Sequence, residues 1–97
     1  MKEETRMHRN IVVVGDTTTH GGRVVTGSET DTIDGRAIAR QGDLVDCALH
    51  GVQPIIEGDD TTLLEGRPVA LEGHRAECGC RLLADGGTRW VGTQGTA

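Results

Sequence analysis

The 97-residue sequence contains no Phe, no Tyr, a single Trp at position 90 and only two prolines. Aromatic side chains usually supply the largest buried areas of a small domain, so a chain of this length that lacks them cannot build a deep core. It needs another cross-link. Basic character is also scarce: Lys and Arg number 10 against 15 Asp and Glu, and the formal net charge is -5. Nucleic-acid binding depends on a basic patch that displaces counterions, so no nucleic-acid partner is expected. No apolar run is long enough for a membrane span or a signal peptide, and the chain is expected to be made in the cytoplasm. The three cysteines cannot all pair with one another, which favours a reducing compartment and metal chemistry over a disulfide framework.

Long glycine-free stretches are missing too. From Gly15 onward the longest runs over residues 43–50, and glycine this dense would cost a helix about 1 kcal/mol per site. What remains is an all-β pattern of short strands separated by turn residues.

What is present is a repeat centred on residues 58–80. Shifting the chain by 31 residues lays 27–47 over 58–78 without a gap, with identities at Gly27/Gly58, Thr30/Thr61, Gly35/Gly66, Arg36/Arg67, Ala39/Ala70, Gly42/Gly73 and Cys47/Cys78. A shorter copy precedes them: Ile11, Gly15 and Asp16 fall on Ile38, Gly42 and Asp43 at an offset of 27, and His20 falls on Cys47. Each copy thus carries a soft metal ligand five residues after its marked glycine, at His20, Cys47 or Cys78.

Residues 1–9 are charged and without apolar periodicity, and the expected organisation is a flexible leader over 1–9 followed by one domain over 10–97. Strands are predicted at 10–14, 23–26, 52–56, 81–84 and 89–91. Two hairpins are predicted, 30–33 with 37–40 across Asp34-Gly35 and 61–64 with 68–71 across Glu65-Gly66, because Asp-Gly suits a two-residue turn with positive φ.

Candidate ligands follow the marked glycines: His20 in THGG, Cys47 and His50 in DCALHGV, and His74, Cys78 and Cys80 in GHRAECGC. Zinc takes four tetrahedral nitrogen or thiolate ligands, often delivered as close pairs from one turn, and Cys47-x2-His50 and His74-x3-Cys78 both have that spacing. Gly21 and Gly22 leave room beside His20 for close approach of other backbone. Cys47 is open to a second reading as a small buried hydrophobe. His8, in the leader, reads as a polar surface residue, and the carboxylates at Asp31, Asp34, Glu57, Asp59, Asp60 and Glu65 read as a solvated face.

The combination VGDTTTHGG, I/L-D/E-G-R-x-I/V-A-x-x-G-D/H, CALHG and ECGC, spread over residues 10–84, resembles the PAAR-repeat family of type VI secretion spike-tip proteins. The resemblance implies a small conical pseudo-threefold β-repeat domain, stapled by zinc near its tip, whose broad base sits on a trimeric VgrG-like spike. It also implies a zinc held by three histidines and one cysteine. By motif these are His20, His50 and Cys78, with His74 as the third histidine, and Cys47 or Cys80 as the alternative thiolates. Where the family has R-H-G-D, this chain has Leu71-Glu72-Gly73-His74. Its versions of the namesake motif are Arg36-Ala37-Ile38-Ala39-Arg40 and Arg67-Pro68-Val69-Ala70-Leu71.

Three functions follow for weighing. The first is a non-enzymatic tip, monomeric when free, that caps the VgrG trimer, attaches effector or cargo proteins and leaves through the type VI apparatus. The second is a zinc-stapled β protein-interaction module of unrelated role. The third is a zinc hydrolase with Glu72 or Glu77 as general base, disfavoured because the candidate ligands suffice to close the site. Trp90 either closes the last strand onto the domain or marks a docking patch.

Overall fold

The computed structural model describes residues 9–84 and the strand at 90–91. The leader expected over 1–9, apart from the pairing of Arg9, and the side chain of Trp90 lie outside the described residues. Among those described there is no helix. The strands are β1 (Arg9–Asn10), β2 (Arg23–Val24), β3 (Thr32–Ile33), β4 (Arg36–Ala37), β5 (Leu44–Cys47), β6 (Gly51–Pro54), β7 (Asp59–Leu64), β8 (Arg67–Val69) and β9 (Trp90–Val91). All pairings are antiparallel, in four small sheets ordered β1-β9, β2-β5-β6, β3-β4 and β7-β8.

The two anticipated hairpins form on the turns that their sequences favour. Asp34 and Gly35 have φ of 53° and 82°, and Glu65 and Gly66 have 56° and 81°. Both central residues are left-handed, which matches the twist of the flanking strands. The third hairpin position has no turn. It is filled by β1 and β9, with Arg9 opposite Val91 and Asn10 opposite Trp90, so segments from the two ends of the chain complete the third side.

The copies are joined by a closed ring of main-chain hydrogen bonds. Ala39 N–H donates to Val12 O (2.9 Å), Ala70 N–H to Ala39 O (2.9 Å) and Val12 N–H to Ala70 O (3.1 Å). Beside it lie three equivalent bonds between copies, from Val14 N–H to Ala37 O (2.8 Å), Gln41 N–H to Pro68 O (2.7 Å) and Glu72 N–H to Asn10 O (2.9 Å). Three chain segments bonded directly to one another leave little space between them. The inward positions accordingly carry Val12, Ala39 and Ala70, fully buried, with Val24, Ile55 and Leu82 in the adjoining layer.

This closure changes two of the expected strands. Residues 10–14 do not form one continuous strand, because Ile11 bridges Leu71 while Val13 bridges Ile38. Successive residues serve different neighbours in the ring, so no ladder of any length can accumulate. The segment 81–84 behaves likewise, through the bridges Arg75 to Arg81 and Thr18 to Leu82. β5 was not among the predicted strands. Its four residues alternate half-buried, buried, exposed and buried, a period-2 pattern hidden inside what reads as a ligand-bearing turn.

After the ring each copy turns on a polar residue that folds back onto the main chain. Asp16 Oδ2 accepts the Val13 N–H (2.9 Å), Asp43 Oδ2 accepts the Arg40 N–H (2.8 Å), and His74 Nδ1 accepts the Leu71 N–H (2.9 Å). All three side chains are buried. In the second copy the turn also holds a buried arginine. Arg40 Nε lies 2.8 Å from Asp43 Oδ2, its Nη1 pairs with Glu65, and its Nη2 donates to the Gly27 carbonyl at 3.3 Å. Ser28 and Thr30 hydroxyls donate in turn to Glu65 at 3.1 and 2.9 Å. Burial disfavours the Asp43 carboxylate, but hydrogen bonds from Arg40 and Thr26 overcome that and hold it below its ordinary range.

The first copy makes its tightest backbone approach at Gly22, where a Cβ would lie 1.8 Å from the Asp46 carbonyl oxygen. The close approach expected of Gly21-Gly22 is therefore realised at Gly22. Gly35, by contrast, meets nothing within 4 Å. Gly22→Ala should destabilise the fold by about 3 kcal/mol or more through overpacking, and Gly35→Ala by about 1 kcal/mol through its left-handed φ alone. Equal losses in chemical unfolding would contradict the close-packed origin of Gly22.

Acid should weaken the fold through Asp43. Because its folded pKa is depressed, its contribution is complete above the carboxylate's unfolded value and is lost as pH falls through the lower folded one. Unfolding of Asp43→Asn should show a shallower loss of stability below about pH 4 than the parent chain.

Candidate metal centre

The alternation that buries Asp16 and Thr18 in the first copy carries the chain inward again at His20, and the same register in the other copies delivers Cys47 and Cys78. Three positions equivalent in sequence are thus brought together in space. Copy 1 closes its turn from Thr18 N–H to the Gly22 carbonyl (3.0 Å), and copy 3 from Ala76 N–H to the Cys80 carbonyl (3.0 Å). Cys80 therefore occupies the place of Gly22. Copy 2 runs further: Val45 pairs with Gln53 across the longer β5–β6 hairpin, and the extension contains Leu49 and His50.

His20, Cys47, Cys78 and Cys80 converge, their ligand atoms all within 4.8 Å of one another. Cys47 Sγ lies 3.6 Å from His20 Nδ1, and Cys78 Sγ lies 3.4 Å from Cys80 Sγ. A tetrahedral ion bound at 2.0–2.3 Å places its donors roughly 3.4–3.8 Å apart. Both the spacing and the soft sulfur and nitrogen chemistry of this set fit a metal of the zinc type. Cys47 and Cys80 are buried and Cys78 is half-buried, all three as free thiols.

The surrounding groups tune these thiols unequally. Burial works against ionisation of Cys47, but hydrogen bonds from His50, the Leu49 amide and His20 outweigh it and lower its pKa. Cys78 is lowered chiefly by the Cys80 amide. Cys80 is pushed up to about 11 by burial and by the neighbouring Cys78, against a hydrogen bond from the Thr18 hydroxyl. A cation at the centre would reverse the last effect, since a coordinating thiol gives up its proton.

Of the ligands implied by the resemblance, His20 and Cys78 stand in the cluster. His50 is exposed and reaches one member, with Nδ1 3.6 Å from Cys47 Sγ and its ring centroid 6.0 Å from that of His20. His74 stands in the ring of Asp16 and Asp43, with Nδ1 engaged by the Leu71 N–H. Cys47 was visible as a ligand from its repeat register. Cys80 was visible only as the second thiol of a Cys-Gly-Cys turn. Glu72, weighed as a general base, accepts a hydrogen bond from Asn10 Nδ2 at 3.2 Å, and Glu77 is exposed.

These features define a single-chain, pseudo-threefold β module with a thiol–imidazole cluster where its copies meet. The PAAR motif model matches residues 14–84, most of the length, and the chain belongs to that family. The family is one of structural spike-tip modules of type VI secretion. A comparison with curated proteins finds no match. Among the described residues no helix is long and apolar enough to cross a membrane.

The place of His74 can be checked by substitution. His74→Asp, which restores the residue type of the other two copies, should keep metal stoichiometry and stability within about 1 kcal/mol, whereas His74→Ala leaves the buried Leu71 amide unsatisfied and should cost about 1–3 kcal/mol. Loss of metal from His74→Asp would make His74 a ligand.

Proposed function

We propose that this protein is a non-enzymatic tip that caps one VgrG-like trimer of a type VI secretion spike. The observation that carries the reading is the closed ring Val12–Ala70–Ala39, in which three related segments of one chain hydrogen-bond in a cycle. A single molecule with that symmetry presents three similar faces to three identical subunits, so one tip fits without breaking the partner's symmetry. The hairpins β3–β4 and β7–β8, with the β1–β9 pair, supply one equivalent element per copy and would together rest on the spike. With no Phe or Tyr for anchors, such a contact would draw on backbone and small apolar groups, and on area more than on single side chains. Effectors would attach to the remaining surface, and the protein would be made in the cytoplasm and leave with the spike.

The cluster containing His20 and Cys78 would bind zinc and hold the copies together where side chains are too small to do so. Zinc ligation contributes on the order of 10 kcal/mol in small metal-dependent domains. An interaction module of unrelated role remains the second reading, favoured by no observation of its own.

Mixing the purified chain with a trimeric spike end and measuring the mass of the complex should give one tip per three spike subunits. Three per three, or no binding by metal-loaded protein, would favour the interaction-module reading. Stripping metal with a strong chelator should lower the unfolding midpoint markedly and broaden the amide spectrum. A midpoint that moves by no more than about two degrees would remove the role assigned to zinc.

A further inference from the structure

We infer that the metal is held by three thiolates and one imidazole, those of Cys47, Cys78, Cys80 and His20, and that His50 is a positioning residue for Cys47 and not a ligand. This rests on the metal-bearing tip described above and specifies the donor set of that site. It departs from the set of three histidines and one cysteine that the family resemblance implies.

The first argument is geometric. The four donor atoms lie within 4.8 Å of one another, whereas His50 stands outside that set, beside Cys47 (Nδ1 to Sγ 3.6 Å) and the His20 ring (centroids 6.0 Å apart). The second is local structure. Gly79, with φ of 97°, lets Cys78 and Cys80 turn toward one point with their sulfurs 3.4 Å apart. One tight turn thereby supplies two donors, as in closed structural zinc sites. The third is that donors already face the buried thiol of Cys47: Nδ1 of His20 and Nδ1 of His50 each lie 3.6 Å from its sulfur. Hydrogen bonds of this kind around coordinated sulfur stabilise its negative charge and fix its direction. His50 belongs with them. It sits on the exposed extension peculiar to copy 2, where its ring can donate to Cys47.

Replacement of two imidazoles by two thiolates changes the chemistry of the centre. Three thiolates make it net anionic around a dication, suit it to soft ions such as zinc or cadmium, and with His20 fill a tetrahedron completely. No coordination position is left for a reacting water.

X-ray absorption at the zinc edge of the zinc-loaded 97-residue chain counts the donors directly. Three sulfurs and one nitrogen are expected; two or fewer sulfurs would overturn the assignment while leaving a metal-bearing tip in place, and failure to bind stoichiometric zinc would remove both. Cobalt-loaded variants supply an independent readout. His50→Ala should retain one metal per chain with its thiolate-to-cobalt absorption undiminished, and Cys80→Ser should lose roughly a third of that absorption or the metal itself. Unchanged absorption in Cys80→Ser, or loss of metal in His50→Ala, would overturn it. The absorption-edge measurement stands on the unaltered chain should a variant fail to fold.

Discussion

Direct main-chain hydrogen bonding among three segments of one polypeptide, at Val12, Ala39 and Ala70, is the constraint from which the other features follow. Backbones bonded in a cycle stand too close for large residues between them, so the interior carries Val, Ala, Ile, Leu and Cys, and an aromatic side chain would have no place there. The same closeness requires glycine at Gly22, and it interrupts the ladders so that Ile11 and Val13 face different partners. A fold organised this way gains directional bonding and loses buried area. That exchange gives a physical reason for a cluster of side chains able to hold a metal where the segments meet.

Threefold repetition in a single chain permits what three identical chains cannot: equivalent positions are free to differ. The turn residues are Asp16, Asp43 and His74, and each caps the amide three residues earlier despite the change of type. One level on, the equivalent positions hold His20, Cys47 and Cys78, so one imidazole and two thiols converge where strict symmetry would place three like groups. Copy 3 adds Cys80 where copy 1 needs Gly22, and copy 2 adds an extension that brings His50 alongside. The core layers stay conservative in size while the ligand layer diverges in chemistry.

Much of this was legible in the sequence because it depended on local signals. The offsets of 31 and 27 residues gave the copies, and Asp34-Gly35 and Glu65-Gly66 gave the hairpins with their positive φ. β5 was hidden because four residues of alternation between two turns carry little periodic signal, and the fragmentation of 10–14 was hidden because it arises from ring closure, a property of the whole chain. At the candidate site, repeat register gave His20, Cys47 and Cys78. Register could not separate His74 in a capping role from His74 in a binding role, since an imidazole nitrogen and a carboxylate oxygen can accept the same amide proton.

The pairing of β1 with β9 has a consequence for how the molecule comes into being. In linear repeat proteins each unit contacts only its neighbours, and order can spread from any point along the array. Here Asn10 pairs with Trp90, so the circle closes through contacts between residues nearly a whole chain length apart. The entropic cost of joining such distant segments falls before the reward of the finished ring is collected, which makes folding slow for the size of the domain and strongly cooperative. No single copy can persist alone. During synthesis the first copy must wait, incomplete along one edge, until the ribosome has released the last.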